Sequence, residues 1–149
     1  AWNVKSPDFV AQDKIVFEDT ARRYEPGVLN IAGMYGMKAS LEMLSEIGID
    51  RVQASILDCR DYLESRLSEM GFEFLSPCAP DSLRSGILTA RHPVTESARL
   101  FAALEAANIT ASLRSNRSGE KWLRFSPHFY NTRSEMDRVV DVLAAEIRA

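Results

Sequence analysis

The sequence predicts an α+β fold: a small, largely antiparallel β-sheet of about four strands covered by helices in a two-layer sandwich. Three observations lead there. Long stretches carry apolar residues at helical spacing and are bounded by capping residues. Between them lie short apolar runs stopped by proline or by polar turns. Their order reads α-α-β-β-α-β-β-α, with one tight hairpin among them.

The first helix is expected after Asn30, a good N-cap. Its stripe is Ile31, Met34, Met37, Leu41 and Leu44, and Gly48 stands at the C′ position. The second is expected after Asp50, with Gln53 completing a variant capping box. Val52, Ile56, Cys59, Leu63, Leu67 and Met70 line one face, and Gly71 closes it. A strand at Phe72–Leu75 is stopped by Ser76 and Pro77, and a second at Gly86–Arg91 ends before Pro93. Thr95–Ala107 reads as a helix with Ala98, Phe101 and Leu104 inward, closed by Asn108 in the left-handed conformation. Strands at Ile109–Leu113 and Lys121–Ser126 flank the turn Ser115-Asn116-Arg117-Ser118-Gly119. Thr132 and Glu135 form a capping box for the last helix, whose apolar face is Met136, Val139, Val140, Leu143 and Ile147.

Residues 1–30 show no sustained period and read as an extended lead-in with a short strand at Lys14–Phe17; residues 31–149 read as the folded domain. So long an irregular lead-in is unusual in a self-contained domain. The chain also lacks an initiator methionine, so a longer polypeptide is expected. The start of the first helix, Ile31-Ala32-Gly33-Met34-Tyr35-Gly36-Met37, is apolar or small nearly all round. Such a helix calls for burial on several sides. It is expected either to be a buried helix entry or to pack on an absent domain or a second subunit. Two glycines in that helix suggest close approach of another backbone or a ligand.

Composition narrows the function. The 149 residues are 46% hydrophobic and 26% charged, with net charge −3. That suits one folded domain and shows no basic stripe for nucleic acid. No apolar run approaches membrane-spanning length. Cys59 and Cys78 form no metal or disulfide pattern, which fits a reducing, cytoplasmic setting. His92 and His128, each beside a proline, carry no metal or acid–base motif. No nucleophile elbow or paired-carboxylate motif supports a hydrolase.

Two segments carry a resemblance. Arg23-Tyr24-Glu25-Pro26-Gly27-Val28-Leu29-Asn30, followed by a glycine-containing helix, resembles the R-F-E-x-G-T-x-N stretch of class V aminotransferase-like proteins. Leu123-Arg124-Phe125-Ser126-Pro127-His128-Phe129-Tyr130-Asn131-Thr132 is similar to that family's R-x-S-x-x-x-Y-N-T before an acidic helix start. The family includes cysteine desulfurases, kynureninase-like and isopenicillin N epimerase-like proteins. The resemblance implies the small C-terminal domain of a pyridoxal-phosphate enzyme whose Schiff-base lysine belongs to a large domain upstream. None of Lys5, Lys14, Lys38 and Lys121 sits in the family's lysine setting. The implied partners are that missing N-terminal domain, a second copy in a homodimer, and an amino-acid substrate.

The resemblance assigns Arg124 to the substrate α-carboxylate, a role its planar fork suits. Arg114 reads either as a second anion contact for the substrate or as a solvated residue just before the turn. Gly27 and Val28 match the place where the family's Gly-Thr meets the cofactor phosphate of the partner subunit. Valine in place of threonine leaves only backbone N–H groups for that contact. Cysteine desulfurases carry a nucleophilic cysteine between the last two strands, where this chain has Ser115–Glu120 and no thiol. A persulfide route is therefore disfavoured, and aminotransferase, epimerase or lyase chemistry remains open. The competing reading is a stand-alone α+β interaction or regulatory module.

Overall fold

A computed structural model of the chain describes residue 5 and residues 15–25, 27–76 and 83–149. Cys78, Lys14 and Pro26 lie outside the described residues, as do residues 77–82 of the loop between the first two strands. The chain divides into two compact units, Ala1–Glu46 and Ile47–Ala149.

In the first unit a 3₁₀ turn, Ala21–Tyr24, is capped by the Thr20 side chain, which accepts from Arg22 N at 3.3 Å. Of the strand expected at Lys14–Phe17, an isolated bridge at Phe17 is present among the described residues. Helix α1 follows, Ile31–Ile47. Asn30 caps it as expected, its Oδ1 accepting from Gly33 N at 3.0 Å. That cap also explains one glycine: a Cβ on Gly33 would lie 2.5 Å from Asn30 Nδ2, whereas one on Gly36 would meet nothing within 4 Å. No residue of α1 is buried.

In the second unit, helix α2 runs Ile49–Glu69, β1 Glu73–Phe74, β2 Leu88–Arg91, α3 Ser97–Ala106, β3 Ser112–Ser115, β4 Lys121–Phe125 and α4 Arg133–Arg148. The strands form one antiparallel sheet in the order β1-β2-β4-β3. The expected α+β class and four-stranded antiparallel sheet are therefore present.

Period-two alternation assigns the two faces of the sheet. Leu88, Ala90, Leu123 and Phe125 point to one side. There they join Cys59, Leu63 and Leu67 of α2, Leu100 and Leu104 of α3, and Met136, Val139, Val140 and Leu143 of α4 in one buried cluster. All three helices thus cover the same face. The register pairs Leu88 with Phe125, and Ala90 and Leu113 with Leu123, so this apolar layer is continuous across the strands.

Several expected boundaries shift, each for a local reason. α2 starts from Gly48, not Asp50: Gly48 O accepts from Arg51 N and Val52 N at 3.1 Å, and no side chain caps the helix. Gly48 adopts φ 89°, which glycine tolerates best. Asp50 lies in the first turn, where its charge favours the helix N-terminus without capping it. Two strands start later than expected because the residue after each left-handed cap closes the preceding helix. Phe72 N bonds Leu67 O at 3.1 Å beyond Gly71, φ 82°, and Ile109 N bonds Leu104 O at 2.9 Å beyond Asn108, φ 56°. β3 accordingly covers Ser112–Ser115, with Arg114 inside the strand just before the turn. In α3 the buried residues are Ser97, Leu100 and Leu104; Ala98 and Phe101 are half-buried. The Ser97 hydroxyl donates to Lys121 O at 2.8 Å, and that bond sets the helix rotation. The Thr132–Glu135 capping box is present in full.

Candidate functional site

The sheet face turned away from the helices is the chemically distinctive one. Its rows follow from the register. Glu73 pairs with Arg91, and Trp122 pairs with Arg114. Thr89 and Ser112 flank Arg124 on either side. A core strand thus presents Leu123 and Phe125 inward and Trp122 and Arg124 outward.

Arg124 is half-buried. Its Nε is sealed from solvent and has no hydrogen-bond partner, and its guanidinium forms no ion pair among the described residues. Leaving a buried donor unmet costs about 1–3 kcal/mol. The Trp122 indole Nε1, two residues away on the same face, is likewise buried and unpaired. Arg114 is exposed, also without an ion pair among the described residues.

Arg91 contrasts with both. It lies 4.7 Å over the Trp122 ring and binds Glu73 at 2.8 Å and Glu120 at 2.9 Å. Those hydrogen bonds, Glu73 first, raise its pKa. On the other side, the Asn116 amide and Arg91 hold the Glu120 carboxyl below the usual carboxylate range.

Arg91 also anchors the β3–β4 hairpin. Within it, Asn116 Oδ1 accepts from Ser118 N and Glu120 N at 2.9 Å each, and Asn116 N donates to Glu120 O at 3.0 Å. Gly119 supplies the positive φ, 83°, that the turn requires. The loop is short, internally satisfied and free of cysteine.

After β4 the chain turns through residues 126–132. Asn131 ties this turn together: Oδ1 accepts from His128 N at 2.8 Å, its carbonyl accepts from Cys59 Sγ at 3.4 Å, and Nδ2 donates to Glu135 at 3.4 Å. The buried Cys59 thiol is pushed up by desolvation, and its surroundings suit packing better than nucleophilic attack. His128 stacks on Tyr130 at 4.9 Å. His92 Nδ1 accepts from Thr95 N at 3.0 Å, so it serves as a turn cap. No group of three or more metal-ligating side chains occurs among the described residues.

Gly27 and Val28 stand apart from any cradle among the described residues. A Cβ on Gly27 would meet nothing within 4 Å, and Val28 is 100% exposed. Alone, these residues do not build a phosphate pocket. Along α1 a groove of about 1090 Å³ is lined by Ile31, Met34, Tyr35, Met37 and Leu41 among others.

Sequence reasoning singled out Arg124 and Arg114 but missed Trp122, paired opposite Arg114, and the Arg91 clamp beside it. The period-two alternation of Lys121–Phe125 was the available signal, since it sets Trp122 and Arg124 against Leu123 and Phe125.

The family described as Aminotransferase class-V matches residues 4–139. The uncharacterized aminotransferase YcbU of Bacillus subtilis is 26% identical over 132 residues, spanning 87% of this chain and 33% of the relative. A cysteine desulfurase of Haloferax volcanii is 26% identical, spanning 91% of this chain and 34% of its own length. Among solved structures, the apo cysteine desulfurase of Thermococcus onnurineus superposes with a TM-score of 0.80 at 18% identity, covering 98% of this chain and 38% of that one. The cysteine desulfurase CsdA of Escherichia coli gives 0.75 at 21% identity, covering 93% and 36%. The chain thus spans about a third of the length of the curated relatives it matches.

Proposed function

Because the chain belongs to the aminotransferase class-V family, we propose that it is the small C-terminal domain of a pyridoxal-phosphate enzyme acting on an amino acid. In this reading it supplies the arginine for the substrate carboxylate and contacts for a homodimer, and it is inactive alone. This reading places it in the cytoplasm. No helix among the described residues is long and apolar enough to cross a membrane.

The observation that carries the reading is the Arg124 guanidinium, half-buried on the sheet face turned away from α2, α3 and α4, with a sealed Nε and no acceptor among the described residues. A fold tolerates such a group when a ligand provides the missing anion. A carboxylate bound through the planar fork is fixed in both position and orientation. Two further features support the rest. α1 exposes Ile31, Met34, Tyr35, Met37 and Leu41, each at least half accessible, as a surface for an upstream domain or a second copy would. Lys38, which pairs with Glu42 on that same helix, and Lys121, in β4, lack the family's lysine setting, so neither is assigned to the cofactor.

The cofactor, when bound, supplies the electron sink for carbanion chemistry. This chain's part is to hold the amino acid by its carboxylate and to bring Gly27 and Val28, through backbone N–H groups, to a phosphate pocket completed by other segments. The thiol-free Asn116–Glu120 hairpin offers no nucleophile for sulfur transfer. Aminotransferase, epimerase or lyase chemistry therefore fits better than a persulfide route.

The test is Arg124→Ala in the full-length enzyme, reading the equilibrium binding of an amino-acid substrate. Loss of charge-assisted hydrogen bonds worth about 1.5–3 kcal/mol should weaken binding by about tenfold or more. Unchanged binding would remove the carboxylate role.

A further inference from the structure

We propose that the sheet face bearing Arg114 and Arg124 selects an amino acid with a second anionic group: a dicarboxylic substrate whose α-carboxylate takes Arg124 and whose distal carboxylate takes Arg114. The inference rests on the Arg124 reading above and deepens it.

The argument is one of charge and register. Arg114 pairs with Trp122, and Arg124 lies two residues further along the same strand. Arg114 and Arg124 are therefore diagonal neighbours on one face, a relation in which long side chains reach each other's surroundings. Both guanidiniums lack an ion pair among the described residues, while the third arginine of the face, Arg91, already holds two carboxylates. Glu73 and Glu120 are thereby spent. Two uncompensated cations on one face repel, and the Arg124 Nε is desolvated as well. One α-carboxylate neutralises one of them. A second anion, set a few bonds from the first, neutralises the other.

Trp122, opposite Arg114 in the register, is only 8% exposed and lies under Arg91, 4.7 Å from its ring, so it fixes the floor beside the two guanidiniums. Each end of a dicarboxylate can then meet one planar fork. A neutral side chain of the same length would forgo the Arg114 contact, so the discrimination falls on the polar end.

The experiment uses the full-length enzyme with its cofactor and non-reacting probes: succinate and glutarate against butyrate, titrated calorimetrically. Dicarboxylates should bind at least about tenfold tighter than the monocarboxylate. Arg114→Ala, at an exposed position, should shrink that ratio towards one, and Arg114→Lys should restore part of it. A ratio near one in the parent enzyme, or one unmoved by Arg114→Ala, overturns the proposal. Arg124→Ala separates the two levels. Weakening of both probes keeps the carboxylate reading, and with it the basis of the proposal. No effect on either probe removes that reading and the proposal together.

Discussion

Replacing Arg124 by methionine should stabilise this chain while disabling binding in the full-length enzyme. Methionine keeps the length of the aliphatic stem and removes the charge and the donors. Nothing is lost in exchange, because the guanidinium has no hydrogen bond or ion pair among the described residues. Relief of one unmet buried donor is worth about 1–3 kcal/mol. The half-exposed position of the side chain places the gain near the lower end, about 1 kcal/mol. For a unit the size of Ile47–Ala149 that corresponds to a rise in Tm of about 4 °C. Denaturant unfolding followed by circular dichroism, with a constant m-value, reads it directly. A loss of about 1 kcal/mol or more would show that the guanidinium has a partner within the chain in solution, and the case for a group held in reserve for a ligand would fail.

Gly86→Ala should be costly for a different reason. The new Cβ would sit 2.2 Å from Ile56 Cγ2, so the stiff, β-branched Ile56 side chain must move at about 1–3 kcal/mol; adding Ile56→Ala should recover most of that in a double-mutant cycle, and simple additivity would refute the steric account. Thr132→Ala should cost about 1 kcal/mol through loss of the α4 cap. The same capping box predicts an acid dependence. The Thr132 backbone N–H, with help from Asn131, holds the Glu135 carboxyl below its ordinary range, so its contribution is present above the unfolded carboxylate range and fades as pH falls through the lowered value. A Glu135→Gln variant that loses stability on acidification as steeply as the parent would contradict this.

Much of the fold was legible because its determinants are local. The Thr132–Glu135 box, the Asn30 cap and the left-handed Asn108 are each read from a few adjacent residues and are present as expected. Errors arose where one residue serves two elements. Phe72 and Ile109 look like strand starts by hydrophobicity, yet their N–H groups finish the preceding helices. Gly48 looks like a terminator and also begins the next helix. The rotation of α3 follows from Ser97 bonding a carbonyl of β4, a contact spanning 24 positions that no local pattern encodes. At the candidate site, Arg124 came from a motif, but its relation to Arg114 and Trp122 needed the pairing of β3 with β4. Likewise, the pairing of Arg91 with Glu73 and Glu120 brings together three separate stretches of chain.

Strand β4 has a consequence for how the gene can change. It is central, paired on both sides, and its five residues alternate between greasy packing and guanidinium display. A single-codon insertion or deletion that shifted its pairing by one position would swap the two roles, driving a cation among leucines and putting Leu123 and Phe125 into water. Length drift in the neighbouring Asn116–Glu120 turn is therefore tolerable only when it leaves that parity intact, and lineages that lengthen the loop must do so as an excursion that returns to the same partner residues.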